Sequence, residues 1–106
     1  MDFNSLMREA QRMQEEMARK DAELKNKEYV STKSKSIVEV TMNGDYELQS
    51  VKINEEFAKN FTSDDKEILE DALMLAINEV TAKVTEDKEG MVGDLAGSLN
   101  IPGLGL

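Results

Sequence analysis

The sequence predicts an α+β fold with a long N-terminal helix, a small antiparallel sheet of about three strands, and a second helix packed on the sheet. Three observations predict it: a heptad-like apolar series over about 4–27, β-branched alternation over about 28–53, and a capped, broadly apolar segment over about 63–88. We expect residues 1–89 to form one α+β domain. Residues 90–106, with five Gly and one Pro, are expected to form a flexible tail.

The first helix carries a narrow apolar stripe that we predict to be a dimer seam. At 100° per residue its members fall within about 60°, which is narrower than the face of a helix lying on its own core. The helix could fold back on the second helix, but at about 36 Å it is too long for a small domain to cover. We therefore favour a partner chain. The seam consists of Leu6, Ala10, Met13, Met17 and Leu24.

A β-hairpin is predicted for "VEVTMNGDYELQSVKI", residues 38–53. A two-residue Asn43-Gly44 turn would oppose Val40 to Glu47, an apolar residue to a charged one. A three-residue loop over 43–45 opposes Val40 to Leu48 instead. Because a slip of one residue moves every side chain to the other face, we expect the three-residue loop.

That register turns Val51 and Ile53 away from Leu48. Either both faces of the sheet are covered, which requires a second chain, or a bulge near Ser50 switches the face. Both alternatives stay open at the level of the sequence.

The second helix has clear start and stop signals. Thr62 is a good N-cap, and three acidic residues follow in the first turn, where the helix dipole favours them. The charged run over 86–89 and then Gly90 are expected to end the helix. As an alternative to a free tail, the apolar residues Leu99, Ile101 and Leu104 could dock on a partner. The predicted apolar face consists of Ile68, Leu69, Ala72, Leu73, Ala76, Ile77, Val80 and Val84.

The composition argues against catalysis. The 106 residues include neither Cys nor His, so disulfides, Cys-ligated zinc and the usual general base near neutral pH are absent. No phosphate-binding loop or nucleophile-elbow motif occurs. We expect no catalytic residues, no metal, no cofactor and no small-molecule substrate. Neither a leader nor an apolar run of about 20 residues is present, so we expect no membrane partner and a cytoplasmic protein.

The net charge of −9 is concentrated in the second half of the chain. Residues 54–89 hold 4 basic and 11 acidic groups, a net of −7. The first helix, by contrast, is nearly neutral and carries a line of arginines opposite its seam. These arginines and the lysines that follow could bind phosphates. The candidate DNA-binding residues are Arg8, Arg12, Arg19, Lys20, Lys25, Lys27, Lys33 and Lys35.

An ordinary solvated helix is the alternative interpretation of the same charges. Glu15–Arg19, Glu16–Lys20 and Glu23–Lys27 are i,i+4 pairs in the favourable orientation, each worth about 0.2–0.5 kcal/mol.

The order "NSLMREAQRMQEEMARKDAEL", then "VEVTMNGDYELQSVKI", then "DDKEILEDALMLAINEVTAKV" resembles the YbaB/EbfC family of bacterial nucleoid-associated proteins. The resemblance covers nearly the whole chain. It implies a tweezer-like cytoplasmic homodimer that binds double-stranded DNA, alters its conformation and influences gene expression. It also implies neither enzymatic activity nor a cofactor. The acidity of this chain departs from what a DNA-binding protein usually shows.

Two other functions are compatible with the residues. A helix–hairpin–helix order with a Met-bearing seam could clasp polypeptides, as a protein-interaction or holdase-like module. An acidic decoy for basic proteins is a third possibility.

Overall fold

The computed structural model describes residues 2–99, and their side chains as far as Asp94. The strands form one antiparallel sheet in the order β1-β2-β3. The predicted fold class, a long helix followed by a three-stranded sheet and a C-terminal helix, is confirmed. The elements are α1 (Phe3–Lys25), β1 (Tyr29–Val30), β2 (Val38–Met42), β3 (Leu48–Ile53), α2 (Glu55–Lys59), a 3₁₀ turn (Ser63–Asp65) and α3 (Lys66–Leu99).

The core lies between β2 and α3. On β2, Val38, Val40 and Met42 are buried, and they alternate with half-buried Glu39 and Thr41, as a strand with one covered face requires. The side chains that α3 buries against them are small, so the helix packs closely on the strand. They are Ala72, Ala76, Val80 and Val84, all members of the predicted apolar face. Ile68, also predicted for that face, is instead largely exposed.

Helix α1 projects from this core and buries none of its residues. Its N-cap is Asp2, whose side chain accepts a hydrogen bond from the Ser5 N–H at 2.7 Å, and its last turns lie beside α3. Of the predicted seam, Met13 and Leu24 are half-buried, while Leu6 and Met17 are largely exposed. Within one chain the seam is therefore only partly covered.

The molecule is elongated. Its principal extents are 70 × 26 × 14 Å and its radius of gyration is 20.4 Å, against about 13 Å for a compact chain of this length. Most of α1 therefore has solvent around it.

The predicted hairpin loop is wrong. Residues 43–47 separate the strands, Val40 lies opposite Val51, and Met42 lies opposite Leu48. The Asn43 side chain organises this longer turn, because its oxygen accepts from the N–H groups of Asp45 and Glu47 at 2.9 and 3.1 Å. Asn and Asp side chains often compete with the backbone in this way.

The alternative of a bulge near Ser50 is observed. The register shifts between Thr41 and Met42, which places an extra residue, Gln49, in β3. As a result, Leu48, Val51 and Ile53 each lie opposite an apolar residue of β2, on the face that α3 partly covers. Pairing apolar residues with one another was therefore a sound criterion, but the loop is two residues longer than predicted and a further residue, Gln49, sits in the strand.

Gly44 is needed for a close approach of two backbones. A Cβ added there would lie 1.9 Å from the Leu24 carbonyl oxygen, so any side chain would push the last turn of α1 away. Next to it, Lys25 and Asp45 form an ion pair at 3.6 Å. The hairpin turn and the end of α1 are joined at this point.

Two features of the C-terminal half differ from the prediction. A short helix, α2, precedes the long one and was not predicted. The Asn54 side chain caps it by accepting a hydrogen bond from the Phe57 N–H at 3.1 Å. Helix α3 continues through Gly90 to Leu99, past the end expected near 88, because a glycine in a helix costs only about 1 kcal/mol. Residues 90–99 are thus helical, and the rest of the predicted tail, with Ile101 and Leu104, lies outside the described residues.

Candidate nucleic-acid interface

The arginines of α1 are exposed, but two of them have acidic neighbours. Arg12 pairs with Glu9, and Arg19 lies 3.9 Å from Glu16. The Arg12 and Arg19 side chains are 61% and 67% exposed. Among the described residues, no carboxylate lies within ion-pair distance of Arg8. Ion pairs this exposed are worth about 0–1 kcal/mol, so a phosphate could replace the carboxylate.

The three lysines toward the end of α1 are also paired. Lys20 lies 3.9 Å from Glu16, Lys25 contacts Asp45, and Lys27 binds Asp87 at 2.7 Å. Of the three predicted i,i+4 pairs, Glu16–Lys20 is present, whereas Arg19 lies beside Glu16 instead of Glu15 and Lys27 beside Asp87 instead of Glu23. The partners of Lys25 and Lys27 are distant in sequence, and no local pattern could have indicated them.

Asp87 joins the start of the sheet to α3. Its Oδ2 accepts from Lys27 Nζ and from the Tyr29 hydroxyl, each at 2.7 Å. The Lys27 and Tyr29 hydrogen bonds lower the pKa of Asp87. Burial and the bond to Asp87 raise the pKa of Tyr29 to about 12. The lysine therefore has a structural role here besides any contact with an outside phosphate.

The turn between β1 and β2, residues 31–37, carries the last two candidate residues. Lys33 and Lys35 are exposed, and among the described residues neither has a carboxylate within 4 Å. Residues 29–38 include these two lysines and no acidic residue. We call residues 31–37 the basic turn.

The basic turn is bound from beneath by Glu79 of α3, which is only 7% exposed. Its carboxylate accepts from the Thr32 N–H at 3.0 and 2.9 Å, the Thr32 hydroxyl at 2.9 Å and the Lys33 N–H at 2.9 Å. Lys83 pairs with it at 2.9 Å. Burial raises the pKa of Glu79, but these bonds outweigh it and lower the pKa to about 2. Sequence reasoning missed Glu79, because a lone Glu on an amphipathic helix gives no signal.

Strand β3 presents an uncovered apolar surface. It is an edge strand, and Leu48, Val51 and Ile53 are 45–46% exposed. On α3, Thr81 contacts Met42 of β2. Ile77 and Met74, four and seven residues before Thr81, lie on the same flank of the helix. We call the apolar residues of β3 and this flank the β3 surface.

The described part of the chain contains no cluster of acidic residues able to hold a metal ion. None of the helices traced between residues 2 and 99 is both long and apolar enough to cross a membrane.

Comparison with known proteins identifies the family. A sequence model described as the YbaB/EbfC DNA-binding family matches residues 1–99. The chain belongs to the YbaB/EbfC DNA-binding family. A nucleoid-associated protein of Clostridium acetobutylicum is 36% identical over 103 residues, which are 97% of this chain and 89% of that one. A nucleoid-associated protein of Francisella tularensis subsp. novicida is 40% identical over 86 residues, 81% of this chain and 73% of the relative.

A solved structure shares the fold of this YbaB/EbfC chain. The crystal structure of an uncharacterized protein from Helicobacter pylori superposes with a TM-score of 0.72 at 24% identity, over 91% of this chain and 98% of the other. The likeness establishes the α1–sheet–α3 architecture. The family and its relatives place the protein among DNA-binding, nucleoid-associated proteins, which are not a known enzyme family.

Proposed function

We propose that this protein is a cytoplasmic, non-enzymatic homodimer that binds duplex DNA on the nucleoid, alters its conformation and influences gene expression. The single observation that carries the proposal is the projecting α1, on which Arg8, Arg12 and Arg19 are all exposed. Two such helices, one from each protomer, would grip one duplex from two sides. Contacts of this kind go to phosphates and bend or bridge DNA without reading its sequence.

The β3 surface supports the dimer. A long apolar edge strand offers a row of unpaired N–H and C=O groups to another chain, and Val51 and Ile53 remain 46% exposed beside it. A second copy packed on β3 and on the flank of α3 would cover both. Under this proposal the partly open seam of α1 completes the interface near the base of each arm.

The overall acidity does not prevent binding. A dimer carries −18, twice the −9 of one chain, but charges are screened over about 8 Å at physiological salt. Helix α1, with 23 residues at 1.5 Å each, is about 34 Å long. The acidic residues Glu86, Asp87 and Asp94 of α3 line a groove with Lys20, Glu23 and Leu24, at the base of α1, so local charge governs the contact at its outer turns.

A gel-shift titration of duplex DNA at 50 and 200 mM salt tests the proposal. If the three α1 arginines of both protomers neutralise six phosphates, the slope of log affinity on log salt is about −5, and affinity falls about 10³-fold between these concentrations. Absence of a shifted complex at 50 mM salt would contradict the proposed function.

One observation favours a second candidate, a holdase-like module. Phe3, Leu6, Met7 and Met17 of α1 are all largely exposed, and flexible apolar side chains of this kind suit promiscuous peptide binding. An aggregation assay with an unfolded client protein separates the two: suppression of aggregation without DNA binding would favour the holdase.

A further inference from the structure

The basic turn contains or contacts every buried polar residue among the side chains that the structure describes. These residues are Ser31, Ser34 and Glu79, at 1%, 6% and 7% exposure. Burying a polar group costs free energy unless it is hydrogen-bonded, and among the described residues no buried side-chain N or O atom lacks a hydrogen-bond partner. A chain with a thin core has thus placed all of these groups under one exposed loop.

Three sets of hydrogen bonds, two made by the Ser31 and Glu79 side chains and one by the Ser34 backbone, hold the turn at successive points. The Ser31 hydroxyl accepts from the Val40 N–H at 2.9 Å. The Ser34 carbonyl accepts from the N–H groups of Ile37 and Val38 at 2.9 and 2.8 Å. Glu79 binds the Thr32 and Lys33 N–H groups from below. Fully satisfied buried networks of this kind favour a single rigid conformation.

What the rigid turn exposes is positive charge. Lys33 and Lys35 form no ion pair with any described carboxylate, whereas five of the six other candidate cations have an acidic partner. The nearby negative charge of Glu79 is buried and neutralised by Lys83. Lys33 and Lys35 therefore have no described ion pair to break when an anion binds.

We propose that the basic turn is a preorganised second phosphate contact for DNA, separate from the α1 arms, and that Glu79 is its positioning residue. The inference rests on the proposed function and assigns a further part of the same interface. Exposed Ser36 follows Lys35 in the chain, and hydroxyl groups commonly bind phosphate oxygens, whereas the Thr32 hydroxyl donates to Glu79. On the far side, Glu56 and Asp65 line the groove beside Ser36, so the contact is assigned to the lysine side.

The lysines are tested by the double variant Lys33→Ala/Lys35→Ala, titrated with duplex DNA at several salt concentrations. Together with the six arginine contacts, these four predict a wild-type slope of log affinity on log salt of about −9. The double variant loses the four contacts, so its slope becomes shallower by about 3 to 4 units. The matched control is Lys59→Ala/Lys66→Ala, which removes the same charge from exposed lysines that lack a described ion pair. An unchanged slope in the Lys33/Lys35 variant, or an equal change in the control, would overturn the inference.

Glu79→Gln separates positioning from plain electrostatics. The substitution removes a negative charge beside the proposed contact, so electrostatics alone predicts tighter DNA binding. A positioning role predicts weaker binding, by about two- to tenfold, because hydrogen bonds that hold the turn are lost. Hydrogen exchange of the Thr32 and Lys33 amides should accelerate in parallel. Asp71→Asn, the same charge change at an exposed site on α3, is the control and should not weaken binding.

The outcomes are distinguishable. Wild-type protein that fails to bind DNA removes the proposed function and this inference together. Wild-type protein that binds while the Lys33/Lys35 variant keeps its full salt slope overturns the basic turn alone. Tighter binding by a folded Glu79→Gln protein overturns the positioning role. If that variant does not fold, the lysine titration decides on the contact by itself.

Discussion

The Tyr29 hydroxyl donates a 2.7 Å hydrogen bond to Asp87 Oδ2, across 58 residues of sequence. This bond and the Lys27–Asp87 pair fix the beginning of the sheet, and with it the end of α1, to the middle of α3. The direction in which the α1 arm leaves the core depends on this junction.

Tyr29→Phe should lower the free energy of unfolding by about 0.5–1.5 kcal/mol, the usual net worth of one hydrogen bond. It should also change the alkaline behaviour. The pKa of Tyr29 is raised to about 12 from an ordinary value of 10.0, so its stabilising contribution is complete below pH 10 and is lost as the pH rises toward 12. Urea unfolding at pH 8 and pH 11 measures both effects. A variant with the same alkaline loss as the wild type would contradict the assignment.

Glu79 should make stability sensitive to acid. Its pKa is lowered to about 2 from an ordinary value of 4.5, so its stabilising contribution is present above pH 4.5 and is lost as the pH falls toward 2. Glu79→Gln should cost about 1–3 kcal/mol at pH 7, because the part-buried bonds to the Thr32 and Lys33 N–H groups lose their charged acceptor, and should flatten the decline below pH 4.5. Exposed Asp71→Asn serves as control, and equal acid profiles for wild type and Glu79→Gln would disprove the prediction.

Gly44→Ala should be destabilising, because its Cβ would lie 1.9 Å from the Leu24 carbonyl oxygen. Forcing such a contact costs about 1–3 kcal/mol. The matched control is Gly90→Ala, where nothing lies within 4 Å of the new Cβ and helix propensity predicts a gain of about 0.5–1 kcal/mol. Thermal melts of the two variants should shift in opposite directions. Equal shifts would show that the contact between the hairpin and α1 is not tight.

Val51→Glu should break the proposed dimer. The substitution places a charge on the β3 surface, where Val51 is 46% exposed in one chain and would be covered by the second copy, and burying an unpaired charge is strongly unfavourable. Light scattering at micromolar concentration should report a dimer for the wild type and a monomer for the variant. Ser50→Glu, whose side chain lies on the other face of the strand, should remain dimeric. A monomeric wild type would remove the dimer from the proposal.

Arg12→Ala should weaken binding to all DNA sequences alike, because phosphate contacts carry no base information. The loss of two contacts per dimer makes the slope of log affinity on log salt shallower by about 2 units. Stability should change by no more than about 1 kcal/mol, since the Arg12–Glu9 pair is exposed. Lys59→Ala is a control of equal charge. An unaltered affinity and slope would take Arg12 out of the interface.

The sequence by itself determined the order of the two long helices and the strands, and much of the core. The period of Ala72, Ala76, Val80 and Val84, which belong to the predicted apolar face, and the alternation of Val38, Val40 and Met42 depend only on local backbone geometry. Both sets are buried. The resemblance to a known family was likewise readable from the order of three segments, and the comparison of residues 1–99 bears it out.

Only the tertiary structure decided the hairpin register, the role of Gly44 and the partners of Glu79 and Asp87. The hydrogen bonds of the Asn43 side chain and the bulge in β3 set the register, and alternative turns would have similar free energies. Glu79 meets Thr32 across 47 residues, and Gly44 meets Leu24 across a packed junction. Contacts between distant residues leave no local period in the sequence, because they depend on how already formed elements are brought together.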